Sequence, residues 1–201
     1  MDDIVAQAMA RWPDVPAVYG WLRLDPRGRW LVKGEPIGHR PTVDFIGRNY
    51  RPDAQGRYYF QNGPQRVFVD IDHLPWILHL EGPARGHAAL VTHTGVPVSR
   101  AIRAWLDPEG GVVVEFATAD GPARAVGAVL DRDLPALAEC FAGPDGRPLD
   151  EAGWERLLDG PAPGISLAAG ERSIPVDRLP PGSTFPFVRM PRPAAGEDAC
   201  T

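Results

Sequence analysis

Four turns of nearly the same composition divide this chain, and they restrict it to a fold rich in β-hairpins. They are Asp25-Pro26-Arg27-Gly28, Asp53-Ala54-Gln55-Gly56, Asp107-Pro108-Glu109-Gly110 and Pro144-Asp145-Gly146. In the first and third, Asp accepts a backbone hydrogen bond, Pro presets φ, and Gly takes the positive φ where the chain re-enters a strand. We therefore predict hairpins here, with positive φ at Gly28 and Gly110.

The elements around these turns follow one order twice: a strand, a turn, a strand, a short helix and a second turn. With 22 Gly and 23 Pro the chain carries too many helix breakers for a helix-rich fold. We predict an α+β fold of two related small domains, each made of antiparallel β-hairpins packed on a short helix. The predicted parts are an N-terminal helical arm at 1–16, a first domain at 17–82, a second domain at 83–192 and a flexible tail at 193–201.

Hydrophobic spacing predicts the individual elements. Helices are expected at 2–11, 41–50, 131–141 and 149–158, the third of them N-capped by Asp131 or Asp133. Strand 76–80 is assigned to the first domain, and segments 173–176 and 185–190 are predicted as edge strands because prolines surround them. One apolar face of the first helix is expected to carry Ile4, Val5, Ala8 and Met9. The expected cores are Trp21, Trp30, Ile46, Tyr59, Val67 and Val69 in the first domain, and Trp105, Val113, Leu134, Leu137 and Phe141 in the second.

The net charge of −5 conceals two halves of opposite sign. Residues 19–70 carry nine basic and five acidic side chains, whereas residues 101–160 carry five basic and twelve acidic ones. Three explanations remain open: attraction between the halves, an anion bound to the first half, or drift of two surfaces. An acidic chain without an aromatic-glycine RNA-binding pattern argues against nucleic acid as a partner. No stretch approaches the roughly 20 apolar residues of a membrane span, no secretory signal is evident, and we predict a cytoplasmic protein that does not contact membranes.

The densest polar segment lies between residues 48 and 66. It brings four arginines, five amides and four aromatic residues together within some twenty positions. Arginine pairs with oxyanions, amides offer both a donor and an acceptor, and aromatic rings stack on planar groups. The candidate ligand-binding residues are Arg48, Asn49, Gln61, Gln65 and Arg66. The alternative is that half of this segment faces the core and the rest is solvated surface. If it is a site, we expect Glu115 or Asp131 to pair with Arg48 when no ligand is bound.

Searches for catalytic and metal-binding patterns identify no further site. The five histidines lack metal-ligand spacing, no serine lies in a Gly-x-Ser-x-Gly elbow, and no glycine-rich loop ends in Lys-Ser or Lys-Thr. Cys140 and Cys200 are read as reduced thiols rather than a disulfide framework. The prediction is therefore no catalytic residue, no metal and no cofactor.

Residues 17–80 resemble uncharacterised proteobacterial families of unknown function. The resemblance depends on a Gly-x-Trp strand (Gly28-Arg29-Trp30), a Gly-x-Pro-Ile turn (Gly34-Glu35-Pro36-Ile37), an Asp-x-x-Gly hairpin (Asp53 to Gly56) and a Pro-aromatic strand (Pro75-Trp76). It implies a two-domain α+β protein with repeated motifs and a suggested role in signal transduction. It implies no catalytic residue.

Together these features favour a ligand- or partner-binding protein, regulatory or signalling in role, with its polar patch facing a groove between the domains. The partner is expected to be a small anionic molecule or a protein. An alternative is a hydrolase or transferase acting on a small anionic substrate, with His39 or His73 as general base. A third reading is an assembly protein that exposes an apolar patch around Trp76 or Phe185-Pro186-Phe187. The sequence leaves the oligomeric state open.

Overall fold

The computed structural model describes residues 2–12, 15–82, 86–117, 124–160 and 163–193. The chain divides into two compact units, Met1–Pro75 with Pro186–Thr201, and Trp76–Phe185. Strands outnumber helices, and the fold is of the α+β type with two sheets. The tail predicted at 193–201 lies, apart from residue 193, outside the described residues. The predicted domain boundaries remain predictions.

The first unit contains two helices, α1 (Asp3–Arg11) and α2 (Arg40–Arg48). Its strands are β1 (Val18–Leu24), β2 (Trp30–Val32), β3 (Glu35–Pro36), β4 (Tyr50–Pro52), β5 (Tyr58–Asn62) and β6 (Gln65–Ile71). The second unit contains α3 (Leu134–Ala138) and α4 (Glu151–Asp159). Its strands are β7 (Trp76–Leu80), β8 (Leu90–Thr92), β9 (Arg100–Leu106), β10 (Val112–Ala117), β11 (Ala125–Val129), β12 (Phe141–Ala142), β13 (Ser166–Ala169) and β14 (Arg172–Arg178).

The first unit is built on one sheet whose described strands follow the order β3-β2-β1-β6-β5-β4. Its hairpins are antiparallel, but β1 and β6 are parallel neighbours, which joins the two hairpins at the centre of the sheet. Helix α2 packs on this sheet through Phe45, whose ring meets that of Phe60 edge-on at a centroid distance of 5.4 Å. The sheet therefore positions the end of α2 beside β5, which determines where the candidate residues lie.

The second unit has a sheet with the described order β12-β13-β14-β9-β10-β11-β7-β8. Two neighbouring pairs are parallel, β14 with β9 and β11 with β7. The Ala88 N–H donates to the Ala168 carbonyl and the Ala88 carbonyl accepts from the Gly170 N–H, both at 2.8 Å. These bonds bring the segment before β8 against the end of β13. Strands from opposite ends of the strand order are therefore close together there.

The four predicted turns share one backbone geometry. The Asp53 N–H donates to the carbonyl of Arg57, and the Gly56 N–H donates back to the carbonyl of Asp53. The same pair of bonds closes the turns that begin at residues 25 and 107, and the fourth turn begins at Gly143, one residue before its predicted start. Glycines at the fourth turn position have positive φ, including 76° at Gly28 and 88° at Gly110, as predicted. This is the three-residue hairpin loop that ends in a glycine bulge.

Several predicted elements differ from those observed. Strand β7, assigned from sequence to the first half, pairs with β11 in the second sheet. Strand β14 is internal rather than an edge strand, and Pro175 is accommodated because pairing with β9 begins only at Val176. Residues 185–190 form no strand, and Val188 makes an isolated parallel bridge with Arg57, the residue before β5. The predicted third helix is shorter, because Phe141 enters β12.

Burial corrects some of the predicted core as well. Trp21 is 44% exposed on β1, with the Lys33 ammonium 4.7 Å from its ring centroid. On α1 only one side packs: Val5 is 2% exposed, whereas Ile4 is 73% exposed. Trp76 is buried, which removes it from the apolar patch considered above. The remaining predicted core residues are buried or half-buried.

Candidate functional site

Two amide side chains of the predicted cluster are buried rather than presented to solvent. Asn49 ends α2 and is fully buried, with its Nδ2 donating to the Phe45 carbonyl at 2.9 Å. Its own carbonyl accepts from the Gln61 N–H at 3.0 Å, and Gln61 is 1% exposed. The Asn49 side chain satisfies a backbone carbonyl in the last turn of α2, and the Asn49 carbonyl joins that turn to β5. Asparagine is a common residue at helix ends.

Arg48 and Asn49 together hold Asp2. The Asp2 N–H donates to Asn49 Oδ1 at 3.0 Å, and Asn49 Nδ2 donates to Asp2 Oδ2 at 3.4 Å. Arg48 donates from Nε to Oδ1 at 3.1 Å and from Nη2 to Oδ2 at 3.3 Å. Asp2 precedes α1 at the usual capping position, yet its side chain makes no capping bond to that helix. Its carboxylate is used instead for a contact that spans 47 positions of sequence.

The charge of Arg48 changes the acidity of its partner. The hydrogen bond from the Arg48 guanidinium lowers the pKa of the Asp2 carboxyl from its ordinary value. Because the pKa is lowered, the contact stabilises the docked segment above the ordinary pKa of aspartate and is lost as the pH falls through the lowered value. The Arg48 side chain is 54% exposed, so solvent screens this pair and its net contribution is small.

The tip of the β5–β6 hairpin provides a second contact with the N-terminal segment. Gly63 has φ of 56° and is followed by Pro64, the sign pattern of a type II′ turn. Gln65 Nε2 donates to the Pro16 carbonyl at 3.2 Å. A Cβ added at Gly63 would lie 3.9 Å from the Cβ of Ala8, so α1 passes close to the turn.

Behind this tip, Gln61 is only partly satisfied. Its Nε2 donates to the carbonyls of Gly63 at 2.9 Å and Gln65 at 3.3 Å. Its buried Oε1 has no hydrogen-bond partner among the described residues. Arg66 lies opposite Gln61 in the β5–β6 ladder, but its guanidinium stacks 5.1 Å from the ring centroid of Tyr59.

The structure thus brings three of the five candidate residues against the N-terminal segment: Arg48, Asn49 and Gln65. We call these three residues, with Gly63, the docking surface. Gln61 is buried behind this surface. Arg66 is not part of it, because its guanidinium stacks on the ring of Tyr59. The expectation that Glu115 or Asp131 pairs with Arg48 is wrong, because Arg48 pairs with Asp2 and Glu115 pairs with Arg124 at 2.8 Å.

Sequence reasoning did not identify Asp2 and Pro16 as contributors to this surface. The available signal was the charge pattern: Asp2 and Asp3 lie at the start of the chain, and the first half that follows is basic. That pattern indicated attraction between unlike charges but placed the acidic partner in the second half. Neither residue has a side-chain type or spacing that singles it out locally.

The surroundings of the two histidines proposed as general bases are not those of an active site. His39 precedes α2 on an exposed surface, where its Nδ1 lies 2.8 Å from Thr42 Oγ1. His73 is half-buried, and its carbonyl accepts from Arg189. In the part of the chain that the structure describes, no three His, Cys, Asp or Glu side chains are grouped to hold a metal ion. Over the same ranges, no helix is long and apolar enough to cross a membrane.

Known proteins place this chain in a family. The model of DUF2944, described as "Protein of unknown function (DUF2946)", matches residues 1–184. The chain belongs to this family. The matched region includes the docking surface and both sheets. No curated protein matches the sequence.

Two solved structures of DUF1285 family proteins are similar to this chain. One from Silicibacter pomeroyi DSS-3 has a TM-score of 0.53 at 16% identity, covering 89% of this chain and 97% of that chain. Another, from Shewanella baltica OS155, has a TM-score of 0.41 at 12% identity, covering 59% of this chain and 87% of that chain. At this identity the first of them shows a shared fold, and a fold by itself does not specify a function.

Proposed function

We propose that this protein binds an acidic peptide segment of a partner protein on its docking surface, and that its own N-terminal segment occupies that surface when the partner is absent. The observation that supports the proposal is the double recognition of Asp2 by Asn49 and Arg48. In this account the protein has a regulatory role, because binding of the partner releases the N-terminal segment.

The chemistry of the contact favours a peptide over a small inorganic anion. Asn49 uses its amide oxygen to accept a backbone N–H and its amide nitrogen to donate to a carboxylate, while Arg48 donates to the same carboxylate. An acidic residue within a peptide offers both groups at the right separation. An isolated carboxylate or phosphate would satisfy Arg48 and leave the buried Asn49 oxygen without its donor, which costs affinity.

The contact is weak enough for a partner segment to replace the tethered N-terminal segment. An ion pair as exposed as Asp2 with Arg48 contributes roughly 0–1 kcal/mol, and a tethered segment competes at an effective concentration of about millimolar. A partner segment displaces the tethered one at micromolar concentration if apolar contacts beyond its acidic residue give it about a thousandfold higher affinity. Val5, a buried apolar side chain of α1, is the corresponding contact of the tethered segment.

The test is calorimetric titration with an N-acetylated peptide of residues 2–12 added to the full chain. The variant Asp2→Ala, whose own segment is weakened, is expected to bind this peptide several-fold more tightly than the parent chain. Adding Arg48→Ala to that variant should reduce binding by up to about fivefold, because the carboxylate then loses its charged partner.

The matched control is Arg40→Ala in the same background. Arg40 is on the same helix, 83% exposed and paired with Asp44, so it has the charge of Arg48 without the contact to Asp2. It should leave the affinity unchanged. Equal affinities for the Arg48 and Arg40 variants would contradict the proposed function.

A further inference from the structure

The second unit contains a cleft that is separate from the docking surface. It has a volume of about 260 Å³ and lies where the segment before β8 meets the end of β13. Its floor includes the buried side chains of Ala88, Leu90 and Ala101. Small side chains and a parallel bridge between Ala88 and Ala169 leave this space open between elements that are otherwise closely packed.

Four charged side chains line the cleft, and the topology explains their grouping. Arg100 is the first residue of β9 and Arg172 is the first residue of β14. These strands are parallel neighbours, so their first residues lie at the same edge of the sheet. Glu171 comes from the turn before β14, and Glu81 follows β7.

Within the described ranges, the charged side chains of the cleft have no partner of opposite charge. Four other arginines of the second unit lie within 4.0 Å of a carboxylate: Arg103, Arg124, Arg132 and Arg147. Among the described residues, no ion pair or side-chain hydrogen bond involves Arg100, Arg172, Glu81 or Glu171. Two cationic and two anionic groups thus surround one concave space without neutralising each other at contact distance.

We propose that this cleft binds a small zwitterion, a molecule of free amino acid size that carries both a carboxylate and an ammonium group. The guanidinium groups suit the carboxylate, which arginine binds in a bidentate manner, and the glutamates suit the ammonium group. The volume is below the roughly 300–1,000 Å³ of clefts that take drug-sized ligands, which restricts the ligand to a small molecule. This inference is independent of the docking surface.

The experiment is thermal unfolding of the full chain with each of the free amino acids, followed by calorimetric titration of those that raise the melting temperature. Acetate and methylammonium chloride at matched ionic strength serve as single-charge probes. At least one amino acid is expected to stabilise the protein in a concentration-dependent way, whereas neither single-charge probe does so. Arg172→Ala should reduce the affinity for that amino acid at least tenfold.

The control is Arg147→Ala, which removes an arginine that is 85% exposed in the same unit but outside the cleft. It should bind the amino acid like the parent chain. If Arg172→Ala melts below the parent temperature, Arg100→Ala and Glu171→Gln provide the same test at other positions of the cleft. The proposal is overturned if no amino acid binds, if acetate binds equally well, or if the cleft variants retain the parent affinity.

Discussion

Replacing Gly56 with alanine is expected to destabilise the first unit by about 2–5 kcal/mol. Gly56 has φ of 75°, a conformation that costs an L-residue roughly 1–2 kcal/mol. A Cβ added there would also lie 3.0 Å from the Pro186 carbonyl oxygen and 3.3 Å from the Phe187 Cα. Relieving that crowding requires the backbone of the returning segment to move, which costs roughly 1–3 kcal/mol more. Urea denaturation followed by circular dichroism measures the difference.

Gly110→Ala is the matched control for this substitution. Gly110 occupies the same position of the same type of turn, with φ of 88°, but nothing lies within 4 Å of its added Cβ. It should therefore cost only about 1–2 kcal/mol, the conformational part of the effect. If the two substitutions destabilise the protein equally, segment 186–187 does not pack on the turn at Gly56.

Replacing Phe68 with alanine is expected to cost about 3–5 kcal/mol, the largest effect of any substitution considered for this protein. Phe68 is 2% exposed on β6, and its ring stacks on Tyr19 at a centroid distance of 4.6 Å and an interplanar angle of 6°. The Arg57 guanidinium lies 4.5 Å from the same ring centroid, and the Tyr59 ring lies 5.8 Å away. Loss of the ring therefore removes contacts from three elements at once, and differential scanning calorimetry should record a lower melting temperature.

Phe68→Leu separates ring contacts from volume. Leucine fills much of the space but cannot stack, so it should cost about 1–2 kcal/mol, between the parent chain and alanine. If the leucine variant is as unstable as the alanine variant, the loss of stability comes from the ring contacts alone and not from the lost volume. An alanine variant as stable as the parent chain would contradict the packing described for β6.

The turns were predictable because their chemistry is local. Within five residues, Asp53 Oδ1 accepts the N–H groups of Gln55 and Arg57, and Asp25 does the same with the N–H groups of Arg27 and Arg29. Such a motif is held by hydrogen bonds between residues that are close in sequence, so it needs no distant partner. The strands that flank each turn followed from the same local signal.

The pairing of hairpins into sheets was not predictable, because it depends on contacts between distant residues. Val69 lies beside Leu22 in a parallel pair, and Ile77 lies beside Ala128 in another, and nothing in either segment specifies its partner. The assignment of β7 to the first half failed for this reason. An apolar strand that is buried on both faces fits equally well in either sheet.

The candidate site was predictable in composition but not in arrangement. The residue types of Arg48 and Asn49 indicated groups that hold a carboxylate, and these groups do contact one. The carboxylate is that of Asp2, and a contact across 47 positions of sequence leaves no local pattern. The alternative that half of the segment faces the core anticipated some burial, but alternation does not identify the buried residues, because four consecutive residues of β5 are buried.

Amide hydrogen exchange of α1 in the full chain tests the central claim most directly, namely that the docking surface holds the N-terminal segment and exchanges it for an acidic peptide. We expect the amides of α1 to exchange several-fold faster in Arg48→Ala than in the parent chain, with no change in Arg40→Ala. Adding the N-acetylated peptide of residues 2–12 to the parent chain at more than about millimolar concentration should accelerate the same amides, because the peptide then displaces the tethered segment. Exchange of α1 that is insensitive both to Arg48→Ala and to the peptide would contradict the account.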